Sequence, residues 1–72
     1  PNPVNAGEPI FISHSNGLGN YTVSIVDLNG RIIQTTNSSR NKLSIEAPQN
    51  PGLYLIQIEK QAVKLVSKLL VR

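Results

Sequence analysis

The side chains that could carry out acid–base or metal chemistry are few and scattered along this 72-residue chain. His14 is the only histidine and there is no cysteine, so a transition-metal site would have to recruit distant carboxylates. The carboxylates are Glu8, Asp27, Glu46 and Glu59. A glycosidase-like pair or a calcium site needs at least two of them to converge in a cleft. Each is explained more simply as an exposed strand or turn residue, so we expect no metal site.

Patterns for nucleophilic catalysis or cofactor binding are equally weak. Ser13 and Ser15 are direct chain neighbours of His14, and adjacent residues do not give the geometry of a nucleophile held beside its base. The Gly-Leu-Gly run at positions 17–19 is shorter than a dinucleotide-binding fingerprint and does not join a strand to a helix. We therefore predict that the chain is not an enzyme and uses no cofactor.

Composition favours a single folded domain. Hydrophobic residues make up 39% of the chain and charged residues 15%, which is too apolar and too weakly charged for a disordered segment. The net charge of +3 comes from basic residues spread along the chain, with only two tyrosines and one phenylalanine, so we expect no nucleic-acid binding. No stretch reaches the roughly 20 apolar residues of a membrane helix, and we expect no membrane insertion.

Short runs with two-residue alternation, separated by turn residues, predict an all-β fold. Asn29-Gly30 is a hairpin signal because both residues accept the left-handed conformation, and the segment 48–52 is a second strong turn. A further short strand around residues 3–5 would lie at a sheet edge, where proline is tolerated. The six main predicted strands span residues 8–13, 21–26, 32–36, 42–47, 53–59 and 62–72. Six to seven short strands indicate an antiparallel sandwich or a small barrel, and for this length an immunoglobulin-like antiparallel β-sandwich is preferred.

The last segment is ambiguous, because residues 62–72 also fit the spacing of a basic amphipathic helix. A strand is favoured, since the segment lacks a good N-cap and carries three valines. As a strand it places Lys64, Lys68 and Arg72 in a row on the solvent face. Such a row either binds a partner or protects an edge strand from aggregation.

Four pieces of the chain, in order, resemble one family. They are Pro1-Asn2-Pro3 at the start, the segment 21–31 that ends in Asp-Leu-Asn-Gly-Arg, Gly-Leu-Tyr-Leu-Ile at 52–56, and Lys-Leu-Leu-Val-Arg at 68–72. Together they look like a type A C-terminal sorting domain of the type IX secretion system, also called the Por secretion system. The resemblance covers nearly the whole chain.

The resemblance implies a domain at the end of a larger secreted protein of the Bacteroidota. Residues 1–72 would form that single domain, covalently fused to an N-terminal cargo domain that lies outside this sequence. The domain would keep the cargo competent in the periplasm, be recognised by the outer-membrane translocon, and then usually be removed by a sortase-like peptidase. The cargo would finish at the cell surface or in the extracellular medium.

The resemblance also implies roles for individual residues. Asn29, Gly30 and Gly52 would form turns, Tyr54 would pack in the core, and Pro1-Asn2-Pro3 would mark the start of the domain. The candidates for translocon contact are Lys64, Lys68, Leu69, Leu70, Val71 and Arg72. A dimer formed through edge strands is left open.

The alternative is a non-catalytic fibronectin-like or immunoglobulin-like spacer or binding module of an extracellular enzyme. A sugar-binding face normally offers several exposed aromatic residues, and here only Phe11, Tyr21 and Tyr54 exist, of which we expect at least two to be buried. A spacer lies between domains, so a natural polypeptide that ended at Arg72 would favour the sorting role.

Overall fold

In a computed structural model, the chain is described over residues 3–13 and 19–72, and these residues contain six β-strands and no helix. The strands are β1 Pro9–Ser13, β2 Tyr21–Val26, β3 Ile32–Ser38, β4 Lys42–Glu46, β5 Gly52–Lys60 and β6 Val63–Val71. One sheet pairs β1 with β4, and a second sheet has the order β3-β2-β5-β6, with antiparallel pairing between all of these strands. The prediction of an all-β fold is confirmed, and the two sheets are consistent with an immunoglobulin-like sandwich.

The six predicted strands match the observed ones to within two residues at their ends, and the helix alternative for the last segment is wrong. The predicted loop around His14 lies outside the described residues apart from Gly19 and Asn20, which are exposed. Within the described ranges, no helix has the length and apolar character needed to cross a membrane.

The core lies between the two sheets and is built by alternate residues of each strand. In β2, Tyr21, Val23 and Ile25 face inward, and Val23 and Ile25 are paired with Ile58 and Ile56 of β5. Because the side-chain period of a strand is two residues, this alternation fixes which face of each strand is buried. The buried cluster comprises Val4, Ile10, Tyr21, Val23, Ile25, Ile45, Ala47, Tyr54, Leu69 and Val71.

The N-terminal segment adds to the edge of β6. Val4 forms a parallel bridge with Val71 in place of the predicted short strand. The Val4 amide donates to the Leu70 carbonyl at 3.0 Å, and the Arg72 amide donates to the Val4 carbonyl at 2.8 Å. The Ala6 amide donates to the Arg72 carbonyl at 3.0 Å. The C-terminal end of β6 is therefore covered on its outer edge.

The hairpin between β2 and β3 is confirmed, but its turn differs from the expected one. Of the two central residues only Gly30 has a positive φ, of 86°, and its amide donates to the Asp27 carbonyl at 3.0 Å. The Asp27 carboxylate organises the loop, since its Oδ1 accepts the Asn29 amide at 3.0 Å and the Arg31 amide at 2.9 Å. A turn closed by one left-handed glycine and followed by a bulge is a common three- to five-residue hairpin loop.

Gly52 and Tyr54 form the corner before β5. Tyr54 is buried and its hydroxyl donates to the Asn50 carbonyl at 2.7 Å. Gly52 has φ 155°, and a Cβ atom there would lie 3.7 Å from the Tyr54 ring. A tyrosine hydroxyl bonded to the backbone a few residues upstream is a feature of immunoglobulin-like sandwiches, where it fixes the corner that starts a central strand.

Candidate recognition surface on the last strand

β6 divides its residues between the core and the solvent. Tyr54 pairs with Leu69 and Gly52 pairs with Val71, so both β6 residues point inward, and each is only 2% exposed. In the folded domain these two side chains lie in the core, where they hold β6 in place. Their predicted role in translocon contact stays a prediction.

The other alternate positions form a mixed basic and apolar surface, which we call the β6 outer face: Lys64, Val66, Lys68 and Leu70. All four are exposed, Val66 by 52% and Leu70 by 43% of its surface. Lysines and apolar residues alternate along this face, so a partner meets positive charge and hydrophobic surface together. Arg72 follows the strand and is also exposed.

Neighbouring strands extend the apolar part of this surface. Leu70 is paired with the exposed Leu53, and Lys68 is paired with Leu55, which in turn is paired with the buried Val26 of β2. The small β1–β4 sheet packs on the opposite face of the large sheet, so it does not cover these residues. The result is an apolar strip of exposed or half-buried side chains across β5 and β6, bordered by lysines, on the side of the sheet away from the core.

The acidic residue nearest to this surface is Glu59, which is paired with Lys64 across the two strands. An opposite-charge pair at directly facing positions contributes only a fraction of a kcal/mol on an exposed sheet, roughly 0.2–1 kcal/mol. The electrostatic character of the β6 outer face is therefore set by its lysines.

The remaining carboxylates lie apart from one another, Glu8 just before β1, Asp27 in the β2–β3 turn and Glu46 at the end of β4. Glu8 Oε1 accepts the Asn5 amide at 3.0 Å, and Glu46 Oε1 accepts Gln49 Nε2 at 2.6 Å. The hydrogen bond that Asp27 accepts from the Arg31 amide lowers the pKa of its carboxyl below 3.8, aided by the Asn29 amide and by the Arg31 guanidinium, whose Nε lies 3.2 Å from Oδ2. These carboxylates stabilise loops. His14 lies outside the described residues.

The other described residues singled out from the sequence lie in turns, bends or strands away from the β6 outer face. Asn29 and Gly30 are exposed in the β2–β3 turn, and Gly52 and Tyr54 form the corner before β5. Pro3 is exposed just before the bridge at Val4, whereas Pro1 and Asn2 lie outside the described residues. Of the three aromatic residues, Tyr21 and Tyr54 are buried, in line with the expectation of at least two, and Phe11 is exposed.

The described residues form an all-β domain whose last strand presents a basic and apolar face to solvent. The whole chain, residues 1–72, matches the model of the secretion system C-terminal sorting domain family. No curated protein and no solved structure matches the chain. The chain belongs to the type IX secretion C-terminal sorting domain family, which is non-catalytic, and it is a C-terminal secretion signal.

The family sets the function at the level of the secretion pathway. The domain interacts with the type IX secretion machinery and directs export across the outer membrane, to the cell surface or the extracellular space. This assignment confirms the resemblance read from the sequence, and no finding supports the alternative of a spacer or binding module.

Sequence reasoning missed two members of the exposed surface. Val66 lies between the two lysines and Leu53 lies beside Leu70. The two-residue alternation that assigned Lys64 and Lys68 to the solvent face also assigned Val66 to it, so the signal was present in the sequence. The position of Leu53 beside Leu70 depends on the pairing register between β5 and β6, which a single sequence does not specify.

Proposed function

We propose that the translocon recognises this domain through the β6 outer face, with Lys64, Lys68 and Leu70 as contact residues and Arg72 at its end. The observation that carries the proposal is the alternation of exposed lysines and exposed apolar residues on a strand whose opposite face is anchored in the core. In this proposal Leu69 and Val71 act indirectly, because they hold the contact residues in register.

The recognition needs no reactive group. Burying Leu70 and the neighbouring apolar strip supplies hydrophobic free energy, roughly 25 cal/mol for each Å² removed from water. The lysines add selectivity, because complementary charges speed encounter and disfavour wrong partners. We propose in addition that a cargo domain is fused upstream, that the folded sorting domain passes through the periplasm, and that a sortase-like peptidase removes it after translocation.

The test is secretion of a periplasm-targeted fluorescent reporter fused to residues 1–72 in hosts with and without the type IX translocon. The variant carries Lys64→Glu and Lys68→Glu. We expect export of the unchanged fusion only in the host with the translocon, and loss of most export by the variant. The size of the released reporter, measured by mass spectrometry, reports whether the sorting domain has been removed.

The matched control carries Arg40→Glu and Lys42→Glu, which make the same change in net charge at exposed residues away from the β6 outer face. It should be exported like the unchanged fusion. Equal losses in both double variants would contradict recognition by this face. Retention of the unchanged, folded fusion in both hosts would overturn the sorting role itself. Deleting residues 68–72 is a poor test, because it also removes Leu69 and Val71 from the core.

A further inference from the structure

The two halves of β6 differ in whether another segment pairs with the outer edge of the strand. Hydrogen bonds from Val4 and Ala6 show that the backbone groups of Leu70 and Arg72 point away from β5. Backbone direction alternates along a strand, so the groups of Lys64 and Val66 point outward as well. Among the described residues no strand pairs with this edge at Lys64 or Val66, whereas the second half is covered.

Along this edge, apolar side chains lie on both faces of the sheet, and the charged Lys64 lies on the outer face. Val63 and Leu65 lie on the inward side yet are 61% and 58% exposed, and Val66 on the outer face is 52% exposed. Edge strands of soluble proteins are usually shortened, charged or covered, because an exposed apolar edge is a template for pairing with another strand. The segment Val63–Ser67 therefore has the properties of a strand-addition site.

A second copy of this chain is a poor occupant of the edge. If two such edges paired antiparallel, the residues of the β6 outer face of both copies would lie on the same face of the joined sheet, with lysines opposite or diagonal to each other. Like charges at these positions are destabilising, and each chain carries a net charge of +3. The same lysines favour a strand that carries carboxylates.

We propose that the edge Val63–Ser67 receives an extended acidic strand of the secretion machinery by β-strand addition. The proposal rests on the proposed recognition of β6 and specifies its form. Facing residues on the added strand are acidic opposite Lys64 and apolar opposite Val66. On the inward side the added strand presents apolar residues opposite Val63 and Leu65. Main-chain hydrogen bonds give affinity in this mode, and the alternate side chains give selectivity.

The test replaces a single outward amide. Val66→Pro removes an N–H that β5 does not use, and proline is tolerated on the outer edge of a strand. Val66→Ala is the matched control, because it truncates the same side chain and keeps the amide. With the reporter fusion described above, we expect Val66→Pro to lower translocon-dependent export about ten-fold further than Val66→Ala, the effect of losing main-chain hydrogen bonds in the complex. The melting temperature of each variant shows whether the domain is folded.

Equal export of the two folded Val66 variants would overturn strand addition. If Lys64→Glu with Lys68→Glu still blocked export in that case, recognition of the outer face would stand without it. Failure of the unchanged fusion to be exported would instead remove the proposed function.

Amide hydrogen exchange gives a second readout that is independent of the proline variant. The amides of Lys64 and Val66 should exchange rapidly in the free domain and about ten-fold more slowly in the presence of the purified outer-membrane translocon. Unchanged exchange in a demonstrated complex would refute the proposal. Concentration-dependent protection without the translocon, together with a dimer in size-exclusion chromatography, would identify a second copy as the occupant and refute the acidic strand.

Discussion

Truncation of two neighbouring leucines on β6 is predicted to lower stability by very different amounts. Leu69 is 2% exposed and lies in the core, whereas Leu70 is 43% exposed on the outer face. Leu69→Ala loses the transfer free energy of a buried side chain and leaves a cavity, which together cost about 2–5 kcal/mol. Leu70→Ala removes a side chain that is already half in water and costs about 1 kcal/mol or less.

The measured quantity is the free energy of unfolding in urea, followed by far-ultraviolet circular dichroism because the chain has no tryptophan. Domains of this size have a stability of about 4–11 kcal/mol, at 0.05–0.15 kcal/mol per residue. With a denaturant slope of roughly 1 kcal/mol per molar urea, the midpoint falls by about 2–5 M for Leu69→Ala and by about 1 M or less for Leu70→Ala. The Leu69 variant is therefore largely unfolded at physiological temperature if the domain lies at the lower end of that range.

Export should fall for both variants, but only in the Leu70 variant should it fall without a loss of folding. Leu70→Ala should fold and yet be exported poorly, because it removes part of the proposed contact surface. If instead Leu70→Ala were as destabilising as Leu69→Ala is predicted to be, the register of β6 would be wrong, since a one-residue slip exchanges the two faces of a strand. If Leu69→Ala and Leu70→Ala both lowered stability only slightly and by the same amount, β6 would not pack on the core.

Two further predictions concern the turns. Gln61, at the start of the β5–β6 turn, has φ 51°, a conformation that costs a non-glycine residue about 1–2 kcal/mol. After the entropic cost of glycine is subtracted, Gln61→Gly should raise the free energy of unfolding by about 1 kcal/mol, which corresponds to about 4–8 °C in melting temperature. The control Ala62→Gly should bring no gain. The lowered pKa of the Asp27 carboxyl means that its ionised form is favoured in the folded state, so its stabilising contribution is present above the unfolded value of 3.8 and is lost as the pH falls through the folded value. Melting temperatures of the unchanged chain and Asp27→Asn should converge in acid, and a difference that stayed constant with pH would contradict this account.

The strands and their buried faces were predictable from the sequence because apolar and polar residues alternate with a period of two. Alternation of Tyr21, Val23 and Ile25 with polar neighbours specifies both a strand and its inward face. Glycine at positions 30 and 52 marked the two turns whose backbone conformation an L-residue rarely adopts. These signals are local, so a single sequence is enough to read them.

Features that depend on partners far along the chain were not predictable in this way. The β5–β6 turn at Gln61 lacks glycine, asparagine and proline, so nothing local marks it, and it forms because the two long strands on either side pair over their whole length. The Asp27 turn was expected from Asn-Gly, although the carboxylate two residues earlier supplies the hydrogen bonds. The match of the C-terminal run to a family motif did not tell core residues from surface residues.

A signal carried on a packed strand links recognition to folding. The residues proposed to contact the translocon alternate one by one with residues that the core requires, so Leu70 reaches the outer face only while Leu69 and Val71 are buried. An unfolded chain contains the same residues, but its lysines and leucines point in all directions and lack the edge and the spacing of a sheet. In this proposal the translocon therefore recognises a folded state as well as a sequence, and variants that weaken the core lower export in proportion to the unfolded fraction even when every contact residue is intact.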